Sequence, residues 1–288
     1  MKNKISLALS SGGARGLAHI GVVETLIEKG YQIEEISGSS IGSVIASMYA
    51  SGNLNKFKSW VLSLDKLRVF SLMDFTIGGY GVMKGDKVFN KLKTIIKDEK
   101  IEDLRTPINI IASDVFKVKE KVFRKGSMYE AMRASCSIPG LVRPYVYKKT
   151  ELIDGGVLNP LPIKHLKKQN QILAVNLNNT PKLKKNKQKT LKHQHLENKY
   201  FNIFKDYFSK KTPYRKRLNV FDLTYKSIHM MQNKLAKETM SKHSVDFVVN
   251  IPFDSCYPLE FYKAKQMIKL GRDLCEEVLK KKQKTSIA

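Results

Sequence analysis

Ser40 stands in the stretch Ile36-Ser37-Gly38-Ser39-Ser40-Ile41-Gly42-Ser43, with a glycine two residues to either side. This G-x-S-x-G spacing suits a serine that attacks a carbonyl. Such a serine sits on a sharp strand-to-helix turn with its hydroxyl clear of its neighbours. The backbone folds so closely on itself there that positions minus two and plus two favour glycine. The flanks agree: Ile33-Glu34-Glu35-Ile36 reads as a short strand, and Ser43 to Ala50 opens a helix that stops at Gly52. The free N–H groups at that helix start favour negative charge developing beside the serine.

A second stretch, Ser11-Gly12-Gly13-Ala14-Arg15-Gly16, follows a short apolar strand at 5–9. It precedes a helix with Leu17, Ile20, Val23, Leu26 and Ile27 at helical spacing and a stop at Gly30. A glycine loop between strand and helix exposes backbone N–H groups and cradles an anion, either a phosphate or the oxyanion of an acyl-transfer intermediate. A dinucleotide fingerprint needs glycine where Ser11 stands and an acidic residue at the end of the second strand, which here runs into the serine turn. The Gly-Lys-Ser/Thr of a phosphate-binding Walker loop is missing. The oxyanion is the better match. A third stretch, Leu152-Ile153-Asp154-Gly155-Gly156-Val157, carries an apolar-flanked carboxylate at a strand end. Asp-Gly is commonly only a turn, but Asp154 is placed to meet a serine from another strand end.

The elements that must position these residues alternate. After the serine turn come a helical stretch with Phe57, Trp60, Val61 and Leu64, an apolar run at 70–75, and an amphipathic helix with Val88, Leu92, Ile95 and Ile96. The apolar run either lines an acyl-chain cleft or is core. Ile108 to Asp114 is a nearly continuous apolar strand of the kind buried on both faces. Val118 to Phe123 is a further strand, and residues 127–141 form a short helix of small residues broken at Pro139-Gly140. Ile172 to Leu177 and Val245 to Ile251 are strands, and 225–240 and 259–282 are helices. Strands alternating with helices argue for an α/β fold with a mainly parallel sheet covered on both faces.

At 288 residues and 42% hydrophobic content the chain can bury a substantial core. Cys136, Cys256 and Cys275 lie far apart without metal-type spacing, which suits buried packing in a reducing compartment. The N-terminal stretch is too short for a signal peptide, and no window approaches the ~18 apolar residues of a membrane-spanning helix. A cytoplasmic protein is expected. With 52 Lys and Arg against 26 Asp and Glu, the net charge of +26 implies an anionic partner or a solvated basic surface.

The three stretches occur in one order. With Ala134-Ser135-Cys136-Ser137-Ile138-Pro139-Gly140 and Asn159-Pro160-Leu161-Pro162, they resemble the patatin-like phospholipase family over about residues 5–177, with a weaker echo in 245–280. The resemblance implies a three-layer α/β/α fold and hydrolysis of lipid acyl esters by a Ser–Asp dyad, of the phospholipase A or lysophospholipase kind, without metal or cofactor. By motif, Ser40 is the nucleophile and Asp154 the base. Gly12, Gly13 and Ile41 supply oxyanion N–H groups, with Arg15 in support. Ser11, Gly16, Gly38, Gly42, Gly155 and Gly156 complete the motifs. Ser11 departs from the family pattern, which has glycine there, and this puts its own N–H contribution in question. Arg15 either braces the loop, meets an anionic head group or is an exposed first-turn side chain.

Two other functions compete. One is an α/β-hydrolase triad, since His165, His193, His195, His229 and His243 follow Asp154. Its elbow follows several strands, however, whereas only one strand and one helix precede the strand of Ser40. The other is a non-catalytic binder of anionic membrane or nucleic acid. The catalytic body is expected to comprise 1–177 and 218–288, with 178–217 a basic insert. Residues 182–217 hold thirteen Lys or Arg against Glu197 and Asp206. Tyr200, Phe201, Ile203, Phe204, Tyr207 and Phe208 fall on one helical face there, a pattern that suits docking on an anionic bilayer. The gathering of aromatics on one face, apart from the charges, argues against nucleic acid.

Overall fold

The computed structural model describes residues 3–76, 81–167, 169–180 and 220–285. The expected docking segment at 182–217 lies outside the described residues, as do His193 and His195. The chain divides into two units, Met1–Pro181 with Gln232–Ala288, and Lys182–Met231. In chain order the first unit begins with β1 (Asn3–Leu9), a 3-10 turn (Gly13–Leu17), α1 (Ala18–Glu28), β2 (Tyr31–Ser39) and α2 (Ile41–Ala50). The short helices α3 (Leu54–Leu62), α4 (Lys66–Ser71) and α5 (Asp86–Lys93) follow. Next come β3 (Ile108–Asp114), β4 (Lys119–Phe123), α6 (Met128–Ser135), β5 (Tyr145–Tyr147), β6 (Thr150–Asp154) and β7 (Gln171–Asn179). Helix α7 (Val220–Lys242) starts in the second unit and ends in the first, which β8 (Phe247–Pro252) and α8 (Ala264–Thr285) complete.

The sheet order is β5-β6-β3-β2-β1-β7-β8, with β4 also paired to β3. Strands β1, β2, β3, β7 and β8 run parallel, and the pairs β3–β4, β3–β6 and β5–β6 are antiparallel. The mainly parallel sheet flanked by helices is as expected. Its centre is buried and largely apolar: Ile5, Leu7, Leu9, Ile36, Ile110, Leu173 and Val175 are buried, as are Leu17, Ile20, Val23 and Leu26 of the first helical stretch, while Ser6 and Glu35, buried between them, bond each other. A strand covered on both faces takes apolar residues at successive positions, as at Ile110-Ile111-Ala112 and Ile172 to Val175.

The register of β3 sets up the site. Ile110 to Asp114 pair with β4 along one edge. The other edge is shared: Ile108 to Ile111 pair with Ile36 to Ser39 of β2, then Ala112 to Asp114 pair with Asp154 to Leu152 of β6. Strands β2 and β6 therefore run toward each other and end at successive positions of β3, Ser39 opposite Ile111 and Asp154 opposite Ala112.

Candidate active site

Ser40 is the first residue past the end of β2, and α2 begins at Ile41. Its backbone has φ 54° and ψ −126°, a conformation costly for any residue but glycine. Several bonds hold it there. The Ser40 N–H donates to Ser135 Oγ at 2.8 Å, and Ser135 Oγ donates to the Ile111 carbonyl at 2.5 Å. The Ser40 carbonyl accepts from Ser43 Oγ at 2.6 Å and from the Ser43 N–H at 2.9 Å. The turn is also closed by contact: a Cβ on Gly42 would lie 2.1 Å from the Leu9 carbonyl oxygen, and one on Gly38 2.5 Å from Gly42.

Asp154 faces this turn. The Ser40 hydroxyl lies against its carboxylate and favours the charged form, and the Gly156 N–H donates to Oδ1 at 2.7 Å. Ser40 and Asp154 are only 3% and 4% exposed. Burial pushes the Asp154 carboxyl up to about 6, against the pull of these two groups. Its backbone is pinned as well, the N–H to the Ser137 carbonyl at 2.9 Å and the carbonyl to Ser113 Oγ at 3.0 Å. The Cys136 thiol sits against the hydroxyls of Ser40 and Ser43. Burial and the charge of Asp154 hold it well above the usual thiol range.

The glycine loop leads out of β1 beside this pair. A Cβ on Gly16 would strike Ile41 at 2.2 Å, and one on Gly156 would meet Ser11 Oγ at 2.5 Å, so all three motifs touch. Gly13 has φ 58°, and the N–H groups of Gly12, Gly13 and Ile41 donate to no acceptor among the described residues. The Ser11 N–H, by contrast, is taken by the Pro160 carbonyl at 2.9 Å. Arg15 is not an exposed first-turn side chain. It is buried, with Nε and Nη1 on the carbonyls of Leu177 and Cys256 at 3.3 and 3.1 Å and its guanidinium 4.6 Å from the Phe253 ring centroid. It braces the loop.

Two of the histidines that follow Asp154, His165 and His243, are engaged elsewhere. His165 Nε2 meets Glu120 Oε2 at 2.7 Å, and β4, which carries Glu120, lies on the edge of β3 opposite to the one where Ser40 and Asp154 meet. His243 Nδ1 lies 2.9 Å from the Thr239 carbonyl. A cleft of about 620 Å³ adjoins β6, lined in part by Ile153, Pro139, Gly140, Thr76 and Val82. Residues 70–75, expected to form a cleft wall or core, do not line it. Phe70 and Phe75 instead pack against each other with tilted rings 5.5 Å apart, both partly exposed. The residue that sequence reasoning missed is Ser135. It belongs to the Ala134-to-Gly140 stretch that carries part of the family resemblance, but no spacing rule marks it as the acceptor that holds Ser40.

The Patatin-like phospholipase family model matches residues 7–167, more than half of the chain. The chain belongs to the patatin-like phospholipase family. An uncharacterized NTE family protein of Mycobacterium bovis is 29% identical over 96% of this chain and 91% of its own. Human patatin-like phospholipase domain-containing protein 6 is 32% identical over 56% of this chain and 12% of its own length. VipD from Legionella pneumophila shares the fold with a TM-score of 0.52 at 13% identity, covering 97% of this chain and 67% of that one. Membership of the patatin-like phospholipases makes this chain a hydrolase of the lipid acyl class. None of the described helices is long and apolar enough to cross a membrane.

Proposed function

We propose that this chain cleaves lipid acyl esters of the phospholipase A or lysophospholipase type through a Ser40–Asp154 dyad. The observation that carries the proposal is the meeting of Ser40 with a buried carboxylate that its hydroxyl helps to keep charged, formed where β2 and β6 end against each other on β3. Ser40 Oγ attacks the ester carbonyl carbon while Asp154 takes its proton. A carboxyl raised to about 6 is a better base than an ordinary aspartate and is still largely ionised at neutral pH. The carbonyl oxygen gathers charge and accepts from the N–H groups of Gly12, Gly13 and Ile41, the last at the start of α2. The Ser40 N–H is occupied by Ser135 and takes no part. Collapse of the intermediate breaks the ester bond, and Asp154 returns the proton to the departing alkoxide. Water then attacks the acyl-serine, gives a proton to Asp154, and Ser40 recovers one as the fatty acid leaves.

The three free cysteines fit a reducing compartment, and we place the protein in the cytoplasm, in peripheral contact with an anionic membrane. A panel of phospholipids, lysophospholipids and soluble short-chain esters tests the activity. Ser40→Ala is expected to lower turnover on every active substrate by at least about 10³-fold, and Asp154→Asn nearly as much, with folding retained. Near-parental turnover in Ser40→Ala would remove the serine from the mechanism.

A further inference from the structure

Two hairpins rise from the end of the sheet at which Ser40 and Asp154 lie. The β3–β4 turn is Val115-Phe116-Lys117-Val118, and the β5–β6 turn is Lys148-Lys149. Because Asp114 pairs with both Lys119 and Leu152, the two turns project past Asp114 together. They are tied into one platform. The Val115 N–H donates to the Glu151 carbonyl at 3.1 Å, and the Thr150 side chain helps to keep the Asp114 carboxylate charged. That carboxylate also accepts from the N–H groups of Phe116 and Lys117 at 3.1 and 3.0 Å.

The composition of this platform runs against what its turns need. Phe116 is 73% exposed, Val118 72% and, on the neighbouring strand, Val146 65%. Val118 has φ 49°, a region in which a β-branched residue is a rare outlier. Lys148 and Lys149 have φ 45° and 64°, where a two-residue hairpin turn ordinarily carries Asn-Gly. Valine and lysine thus stand where glycine or asparagine would fold more easily, with their side chains in solvent. Lys117, Lys119, Lys148 and Lys149 are all exposed. The acidic groups among them are Asp114, which is buried with Lys117 Nζ 3.9 Å away, and the half-buried Glu151. Exposed apolar tips ringed by lysines match a bilayer surface with anionic head groups, where the apolar groups enter the acyl boundary and the cations stay at the phosphates.

We infer that the paired tips of the β3–β4 and β5–β6 hairpins are a docking surface for an anionic lipid bilayer. This rests on the acyl-hydrolase proposal only for its purpose. Val115, Glu151 and Ile153 of the same hairpins line the cleft along β6, together with Pro139, Gly140 and Val142. Docking by these tips would set the mouth of the cleft on its lipid, independently of residues 182–217.

The test uses the full chain carrying Ser40→Ala, so that vesicles are not consumed, and co-sedimentation with phosphatidylglycerol/phosphatidylcholine or pure phosphatidylcholine vesicles at moderate salt. F116S/V118S and K148S/K149S should each lose at least about tenfold in partitioning onto the anionic vesicles, since each lysine near such a surface contributes about fivefold. L67S, which alters a 76% exposed leucine outside the platform, should stay within twofold. Parental binding in both double variants overturns the docking surface, and so does an equal loss in L67S. If size-exclusion chromatography shows a dimer that F116S/V118S converts to monomer, a second copy covers the tips and the proposal fails. The hydrolase proposal is judged separately, by turnover of a soluble ester by the unsubstituted chain.

Discussion

The parallel strands β1, β2 and β7 and the antiparallel hairpins β3–β4 and β5–β6 meet along β3 but are built in different ways. In the parallel part the motif backbone is packed so tightly that a single Cβ on Gly42 or Gly16 would overlap a neighbour. In the hairpins the turns stand in solvent, with Phe116 exposed and Val118 and the paired lysines at conformations that strain them. The dyad takes one residue from each part. Ser40 belongs to the close-packed part, which fixes a strained nucleophile, and Asp154 to a strand whose other end forms the exposed tip. Close packing supplies precision for the chemistry, and the hairpins supply a surface that can approach a lipid.

The largest contrast between the two parts should appear on adding one methyl group. Gly42→Ala places a Cβ 2.1 Å from a backbone carbonyl that a parallel strand cannot move. It should cost about 3 kcal/mol or more, or prevent folding. Gly140, in the loop before the hairpin β5–β6, has open space around the same position, and although its φ of 77° strains an alanine, the cost should be only about 1–2 kcal/mol. Chemical denaturation of the two variants measures the difference. Equal costs would mean that the parallel part is not the more rigid one.

Ser135→Ala tests the support rather than the packing. It leaves the Ser40 N–H and the Ile111 carbonyl without their shared partner. Turnover on a soluble ester should fall about 10- to 100-fold, with stability lowered by about 1–3 kcal/mol. Ser135→Thr, which keeps the hydroxyl, should recover part of the turnover. Unchanged turnover in Ser135→Ala would show that the turn holds its serine without help.

The acid limb of the pH profile reports the carboxylate from the antiparallel part. Asp154 acts as base only when ionised, and burial places its carboxyl at about 6. Turnover should therefore rise with pH, about tenfold per unit below pH 6, and level off above it. The stability linkage has the opposite sign to that of a salt-bridged aspartate. A folded value raised above the unfolded one favours the protonated form in the native state, so this group's contribution falls as pH rises from about 4 through 6. A limb centred near 4 would mean that Asp154 is not the base.

Much of the parallel part was legible in the sequence, because its constraints are local. Glycines at fixed offsets from Ser40, an apolar run without alternation and a glycine loop after a strand each mark a backbone geometry that few other residues permit. The meeting of β2 and β6 on one edge of β3 was not legible. It depends on register between strands more than a hundred residues apart, and Asp154 could only be said to lie at a strand end. Helix α4 and strand β5 escaped for lack of a periodic apolar face over so few residues. Arg15 was left open because its fate depends on the carbonyls of Leu177 and Cys256, which no local pattern brings near.

The smallest effect is expected from His165→Ala, and it separates the dyad from a triad. His165 follows Asp154 in the chain and bonds a carboxylate, which are the two sequence-level marks of a triad histidine. Its partner is Glu120, however. Burial alone would push the Glu120 carboxyl up, but bonds from His165, Lys164 and Asn159 outweigh it and hold the group at about 2. Two of those three partners survive the substitution, with Lys164 Nζ at 2.6 Å. Glu120 should stay ionised and the fold should lose no more than about 1–2 kcal/mol. Turnover should stay within a few-fold of the parent, because the groups described at the Asp154 carboxylate are the Ser40 hydroxyl and the Gly156 N–H. A folded His165→Ala enzyme that lost about 10³-fold or more in kcat would require an imidazole in the reaction. The meeting of Ser40 with Asp154 would then be a resting arrangement, and the carboxylate would have to be sought at Glu120.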